Sequence, residues 1–186
     1  MAELVDYSGP FDPDFSYDRF TKETLLKLIR SHAEYVRRID GQWYLAVMQE
    51  CGNDVAFACD AIVWEKLEAY TMKTTSNLLN IHGDDVVTLI KALQANPWSS
   101  SYKFNVDLIN NDHAIISFIN CPTLLALERD GSGREMLICN KLEVRLMELK
   151  AHYFNPNMIV TPLKLPPREP NSEICCQWEL KVERNR

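Results

Sequence analysis

Three cysteines and one glutamate are the residues whose types and spacing could carry out chemistry in this chain. Cys121 ends an apolar run, Cys139 lies in the first turns of a predicted helix, and Cys176 lies on the apolar face of a predicted strand. Glu143 follows Cys139 by four residues and therefore shares its helix face. Around one pocket, the thiols and the carboxylate could bind a divalent metal such as zinc or manganese. Alternatively, one thiolate could attack an electrophilic carbon while Glu143 transfers the proton.

The competing interpretation of each cysteine is a small residue of the core, which free cysteine often is. We favour this interpretation for Cys51 and Cys59, and for the three candidate thiols the two interpretations balance. Cys175 is expected to face the side of its strand opposite to Cys176, because side chains alternate along a strand. No two cysteines form a C-x-x-C pair, so neither a zinc ribbon nor a thioredoxin-type motif is expected.

The four histidines are weaker candidates. His113 opens a predicted strand, and His152 closes a predicted helix, where a histidine commonly interacts with the helix dipole. A structural role is therefore favoured for both, and more strongly for His32 and His82.

One further carboxylate lies near tryptophans. Asp60, Trp64 and Glu65 cluster on one predicted helix, and Trp43 lies on the helix before it. Glu65 could be a buried general acid with a raised pKa. A solvated position on the helix surface is the favoured interpretation.

Composition narrows the class of protein. The chain has 186 residues, which suits one domain, and a net charge of −6. An acidic surface repels phosphates, so neither nucleic acid nor an anionic membrane is an expected partner. The common nucleotide-binding, zincin and α/β-hydrolase motifs are absent. The first 16 residues lack the features of a signal peptide, so we expect a cytoplasmic protein with reduced thiols.

The elements that must position these residues divide the chain in two. Residues 1–19 are predicted to form an extended arm whose aromatic residues pack on the body, and residues 20–97 a helical half. Its first helix has Thr21 as its N-cap, ends at Cys51 and can kink or divide at Gly41. A second helix ends before His82, and a third starts at Asp84-Asp85 and ends before Asn96.

Residues 98–186 are predicted to contain a small antiparallel sheet and one long helix. Strands are expected near 104–108, 113–120, 158–165 and 173–183, the first two as a hairpin. A short helix is expected at 123–128, the long helix at 135–153 and an extended loop at 166–171. Pro162 favours an edge position or a bulge for its strand. In the last strand, one side is expected to carry the alternating residues Ile174, Cys176, Trp178, Leu180 and Val182. Helices followed by grouped strands predict one α+β domain, with the helical half packed on about four strands.

The second half of the chain resembles the L-2-amino-thiazoline-4-carboxylic acid hydrolase family. The resemblance lies in a strand ending in Cys121-Pro122, then Cys139 with Glu143, then Cys176-Gln177-Trp178. The layout is also similar to the vinyl-reductase-like small-molecule-binding fold, and the whole chain resembles a group of uncharacterised bacterial proteins of similar length. Glu143 and the residues before Cys176 depart from the hydrolase pattern.

The resemblance implies a hydrolase-like enzyme that acts on a C–N or C–S bond of a small molecule. Cys139 would be the nucleophile or a metal ligand, Cys121 and Cys176 its partners, and Glu143 the acid and base. The alternatives are a non-catalytic small-molecule-binding domain or a subunit that binds a partner protein. A homodimer is the default oligomer, because symmetric dimers are the commonest assemblies.

Overall fold

The computed structural model describes residues 3–169 and 171–184. Residues 1 and 2 of the predicted arm, Pro170 of the predicted loop and residues 185 and 186 lie outside this description. Within it, helices occupy the first half of the chain, and a four-stranded antiparallel sheet with further helices occupies the second. The α+β class predicted from the sequence is therefore confirmed.

The helical half consists of α1 (Lys22–Cys51), α2 (Asn53–Leu79) and α3 (Val86–Ala95). Two side-chain caps explain where helices begin. Thr21 accepts a hydrogen bond from the Thr24 amide at 3.2 Å, and Asp85 accepts one from the Thr88 amide at 2.8 Å. α1 continues through Gly41, so the division considered there does not occur. Instead α1 and α2 meet at Gly52, whose φ of 87° favours glycine.

The sheet contains β1 (Lys103–Asn110), β2 (His113–Asn120), β3 (Met158–Lys164) and β4 (Cys176–Val182), in the order β1-β2-β4-β3. β1 and β2 form the predicted hairpin. β3, which contains Pro162, is an edge strand with an irregular register beside that proline, as predicted.

The helices between the strands include a wide turn. After α4 (Pro122–Asp130), α5 (Glu135–Leu137) continues through a π-helical turn, Ile138–Leu142, into α6 (Glu143–Phe154). In this turn the Glu143 amide donates to the Ile138 carbonyl, five residues back. The predicted single helix is therefore interrupted where it carries Cys139. π-turns within helices are frequent at functional sites.

One face of the sheet forms the core with α3 and α6. The buried apolar side chains from the two helices and three strands are Val86, Leu89, Ile90, Leu93, Ala114, Ile116, Met147, Ala151, Met158, Trp178, Leu180 and Val182. The opposite face carries polar pairs, such as His113 with Glu179 at 2.8 Å. The alternation predicted for the last strand, with Trp178, Leu180 and Val182 inward, is therefore confirmed.

The outer face of the α1–α2 hairpin departs from the sequence-based expectation. Cys51 and Cys59 are exposed, so their assignment to the core is wrong. Trp43, in the apolar stripe of α1, is 65% exposed. The reason is that the hairpin packs on the rest of the protein through its inner side, and in the described ranges no element covers its outer side. Among the described helices, none is both long enough and apolar enough to cross a membrane.

Candidate active-site cavity

A cavity of about 620 Å³ lies between the α1–α2 hairpin, helices α4 to α6 and the inner face of the sheet. Aromatic side chains from the helices and strands line much of it: Tyr44, Trp64, Trp98, Tyr102, Phe104, Phe118 and Trp178. Its volume is within the range of small-molecule sites, which combine apolar walls with a few polar groups.

Three carboxyl groups from three different helices face this cavity. Asp40 is on α1, Asp60 on α2 and Glu143 at the start of α6. Burial is the main cause that raises the pKa of all three. For Asp60, repulsion from Asp40 and Glu143 adds to burial and brings the pKa to about 7. Trp64 serves both aspartates: its Nε1 donates to Asp40 at 3.1 Å, and its hydrogen bond to Asp60 opposes the rise in the pKa of that carboxyl.

The raised pKa of Asp60 predicts that the contribution of this carboxyl to stability falls as the pH rises from about 4 to 7. An acid whose pKa is higher in the folded than in the unfolded chain takes up a proton on folding within that window. The asparagine of Asp60→Asn stays neutral. The melting temperature of this variant minus that of the wild type should therefore increase from pH 4 to pH 7 and stay constant at higher pH. Thermal unfolding followed by circular dichroism measures this difference, and a constant difference across the window would contradict the prediction.

Asp107→Asn, on the exposed face of β1, is the matched control, and its melting temperature should follow that of the wild type at every pH.

A buried ion pair lies beside the carboxyls. Lys150 Nζ is 3.0 Å from Glu68 Oε1, and both side chains are almost fully buried. The other carboxylate oxygen, Glu68 Oε2, is buried without a hydrogen-bond partner, although Glu68 lines the cavity. Such an oxygen lacks the donor that a buried carboxylate requires.

The structure brings the candidate thiols of Cys121, Cys139 and Cys176 onto the wall of the same cavity, together with Glu143. Cys121 Sγ caps α4 by accepting from the Leu124 amide at 3.4 Å, and Cys176 Sγ accepts from Trp178 Nε1 at 3.3 Å. Burial raises the pKa of Cys121 and Cys176 to about 12.

Burial, followed by the charge of Glu143, raises the pKa of Cys139 beyond its usual range. The thiols are therefore neutral at physiological pH, which opposes the thiolate chemistry expected of them.

The expected metal site is not formed. In the parts of the chain that the structure covers, no three His, Cys, Asp or Glu side chains are arranged to hold a metal ion. Cys121, Cys139 and Cys176 come from a strand end, a π-turn and a strand start, and their charges act on one another across the cavity wall. Their ligation of zinc or manganese stays a prediction that this arrangement does not support.

Cys175 also differs from its prediction. It is buried and lines the cavity beside Cys176. The reason is that β4 begins only at Cys176, and the chain bends at Cys175, so strand alternation does not extend to it.

The weaker candidate residues make contacts that stabilise the fold. His113 pairs with Glu179 on the outer face of the sheet, and His152 contacts the Met158 carbonyl at 3.2 Å. Glu65 forms an ion pair with Arg145 at 2.9 Å, in agreement with its favoured assignment to the helix surface.

The sequence-based prediction of the site missed Asp40, Glu68 and Lys150 and did not single out Asp60. One local signal was available. Asp60 interrupts an apolar stretch of its helix, residues 55–64, where a carboxylate is costly unless it is paired or functional. No local signal identifies Lys150 as the partner of Glu68, which lies 82 residues earlier in the chain.

Comparison with known proteins adds one relationship. The model of a family of unknown function (DUF6125) matches residues 18–182, a range that contains every residue lining the cavity. No curated protein and no solved structure matches the chain.

Proposed function

The chain belongs to the family of unknown function DUF6125, and since that membership specifies no reaction, we propose from the site that the protein binds a small organic ligand in the cavity. The observation that carries this proposal is the combination of about 620 Å³ of space, an aromatic wall and three carboxyls from separate helices. A cytoplasmic location is part of the proposal, because all six cysteines are free.

A neutral fluorescent probe of apolar pockets, N-phenyl-1-naphthylamine, tests this proposal. We expect its emission to rise on binding to the wild type. Ala126 is an exposed alanine on the cavity wall, so Ala126→Trp should obstruct the cavity and lower the affinity at least about tenfold. Ala46→Trp, at an exposed position of α1 outside the cavity, is the control and should bind as the wild type does. Equal binding by all three proteins, or no binding by the wild type, would overturn the proposal.

The second candidate is hydrolysis of a C–N or C–S bond in the same cavity. It is favoured by the shared position of Cys139 and Glu143 on the cavity wall. In this reaction Cys139 Sγ attacks the electrophilic carbon while Glu143 accepts the thiol proton. Glu143 then gives that proton to the nitrogen or sulfur that leaves as the C–N or C–S bond breaks. Water attacks the carbon bound to Cys139, which releases the product and restores the thiol. The raised pKa of Cys139 opposes this step, which is why binding is the primary proposal.

Cys139→Ser is expected to abolish hydrolysis while leaving the fold and ligand binding intact, because serine keeps the shape and removes the thiol. Chromogenic anilide and thioester substrates measure turnover, and circular dichroism measures the fold. Cys51→Ser, at an exposed position, is the matched control. Unchanged turnover in Cys139→Ser, or no turnover by the wild type, would exclude this candidate.

We also propose that two copies of the chain associate through the outer face of the α1–α2 hairpin. The exposed apolar residues on this face are Ile29, Val36, Ile39, Trp43, Val55, Ile62, Val63 and Tyr70. Two helices of this length present a face about 40 Å long and about 20 Å wide, which approaches the ~800 Å² per partner of a standard interface. A face of this kind can pair with its own copy about a two-fold axis.

Light scattering on a sizing column measures the mass of the particle. The wild type is expected to be a dimer and Trp43→Glu a monomer, because the charge is placed in the middle of the apolar face. Leu108→Glu introduces the same charge at a half-exposed position of β1, outside the α1–α2 hairpin, and should leave the dimer intact. A monomeric wild type would refute this interface.

A further inference from the structure

We propose that the ligand of the cavity is an organic amine, with an ammonium group held among Asp40, Asp60 and Glu143 and an apolar body against the aromatic wall. This inference rests on the proposed binding function and specifies the chemical class of the ligand.

The charge balance of the cavity supports a cation. None of the ion pairs among residues 3–169 and 171–184 includes Asp40, Asp60 or Glu143. Lys150 lies close enough to lower the pKa of Glu143, but its ammonium is already paired with Glu68 at 3.0 Å. Buried carboxylates without a counter-ion are costly, and a bound ammonium would remove that cost.

Arginines are the other cations on the cavity wall. Arg134 pairs with Asp130, and Arg129 donates to the Leu125 carbonyl. Arg37 lies one turn before Asp40 on α1. It lines the cavity, and its guanidinium lies 3.8 Å from Glu34, without an ion pair to Asp40. Its Nε is buried without a hydrogen-bond partner. An anionic ligand group at Arg37 is therefore the competing possibility, and the experiment below includes it.

The unpaired oxygen of Glu68 points independently to a ligand that donates hydrogen bonds. Glu68 is 4% exposed and lines the cavity, Lys150 occupies its Oε1, and its Oε2 lacks a donor. The charge of Glu68 acts on Glu143, so the two carboxyls are near one another. An ammonium has several N–H donors and could donate to both Glu68 and Glu143. Hydrogen bonds between charged groups are stronger than those between neutral groups.

The geometry favours an organic cation over a metal ion. Within the described ranges, no set of three acidic, histidine or cysteine side chains is close enough to ligate one metal ion.

Aromatic rings lie where the rest of such a ligand would be. Trp64, which donates to Asp40, has its ring centroid 4.9 Å from that of Trp98. An ammonium at Asp40 would thus lie next to two indole rings, which attract cations through their faces. Phe104, Phe118 and Trp178 line the same cavity and offer an apolar surface to the body of the ligand.

Three probes of nearly equal shape test the inference by isothermal calorimetry on the full chain: 2-phenylethylamine, 2-phenylethanol and 3-phenylpropionate. We expect the amine to bind at least about tenfold more tightly than the alcohol, and the propionate to bind most weakly. The double variant Asp40→Asn/Asp60→Asn should lose the preference for the amine while keeping its affinity for the alcohol. Glu65→Gln, which removes a carboxylate of α2 outside the cavity, is the matched control and should keep the preference.

The outcomes separate this inference from the proposed function. If the alcohol and the amine bind equally, or the propionate binds best, the ligand is not an amine, although the cavity still binds small molecules. If N-phenyl-1-naphthylamine also fails to bind, the proposed function itself fails. The double variant is expected to be more stable than the wild type, because it replaces two half-buried acids by neutral amides of the same shape. A loss of amine binding together with a gain in stability cannot arise from damage to the fold.

Discussion

Replacing Lys150 by methionine is expected to lower the free energy of unfolding by about 3–5 kcal/mol, the loss found when one partner of a buried ion pair is removed. Lys150 is 8% exposed and Glu68 is 4% exposed. In Lys150→Met, Glu68 keeps its negative charge in the interior without a counter-ion, and Glu143 loses the nearby positive charge that lowers its pKa. Urea unfolding followed by circular dichroism at pH 8 measures the loss.

The double variant Lys150→Met/Glu68→Gln distinguishes a charge effect from loss of packing. It removes both charges and keeps the side-chain volumes, and replacing a buried ion pair by neutral groups is often close to neutral for stability. We therefore expect the double variant to regain more than half of the loss. Equal losses in the single and double variants would show that the lysine acts through packing alone.

Trp178→Ala is expected to be equally destabilising, by about 3–5 kcal/mol, for a different reason. Trp178 is 2% exposed and lies in the middle of β4, where its ring joins the main core to the wall of the cavity. Truncation removes most of the buried apolar surface of the largest side chain in this core and enlarges the cavity. It also removes the hydrogen bond from Trp178 Nε1 to Cys176 Sγ.

Urea unfolding again measures the effect, with two comparisons. Trp178→Phe keeps an aromatic ring and should lose clearly less than the alanine variant. Leu108→Ala, at a half-exposed position of β1, should change stability by less than about 0.5 kcal/mol. If Trp178→Ala were no more destabilising than Leu108→Ala, the inner face of β4 would not be the centre of the core.

Elements governed by local rules could be predicted from the sequence. The cap at Asp85, the hairpin between β1 and β2 and the edge position of Pro162 depend on hydrogen-bonding capacity and backbone restrictions of a few neighbouring residues. The side chains of β4 that face the core follow from the two-residue period of a strand. The convergence of Cys121, Cys139 and Cys176 on one cavity follows from their places in elements that flank the same side of the sheet.

The errors arise where burial depends on distant elements. A helix with apolar residues on several sides does not specify which side meets the protein, so Cys51 and Cys59 were assigned to the core. Whether thiols near one cavity can ligate a metal depends on their separation in space, which sequence spacing does not determine. The bend at Cys175 and the π-turn at Cys139 are backbone adjustments of one or two residues that the hydrophobic period does not record.

The sequence by itself determined the α+β class, the helix starts at Thr21 and Asp85, and the presence of thiols where the sheet meets its covering helices, because these properties follow from local periodicity and capping. Only the tertiary structure decided that Asp40, Asp60 and Glu143 face one cavity and that Lys150 is committed to Glu68. These carboxyls lie on three helices that are far apart in the chain. Their charges, their burial and the ligand we propose for them depend on distances that exist only after the helices pack on the sheet.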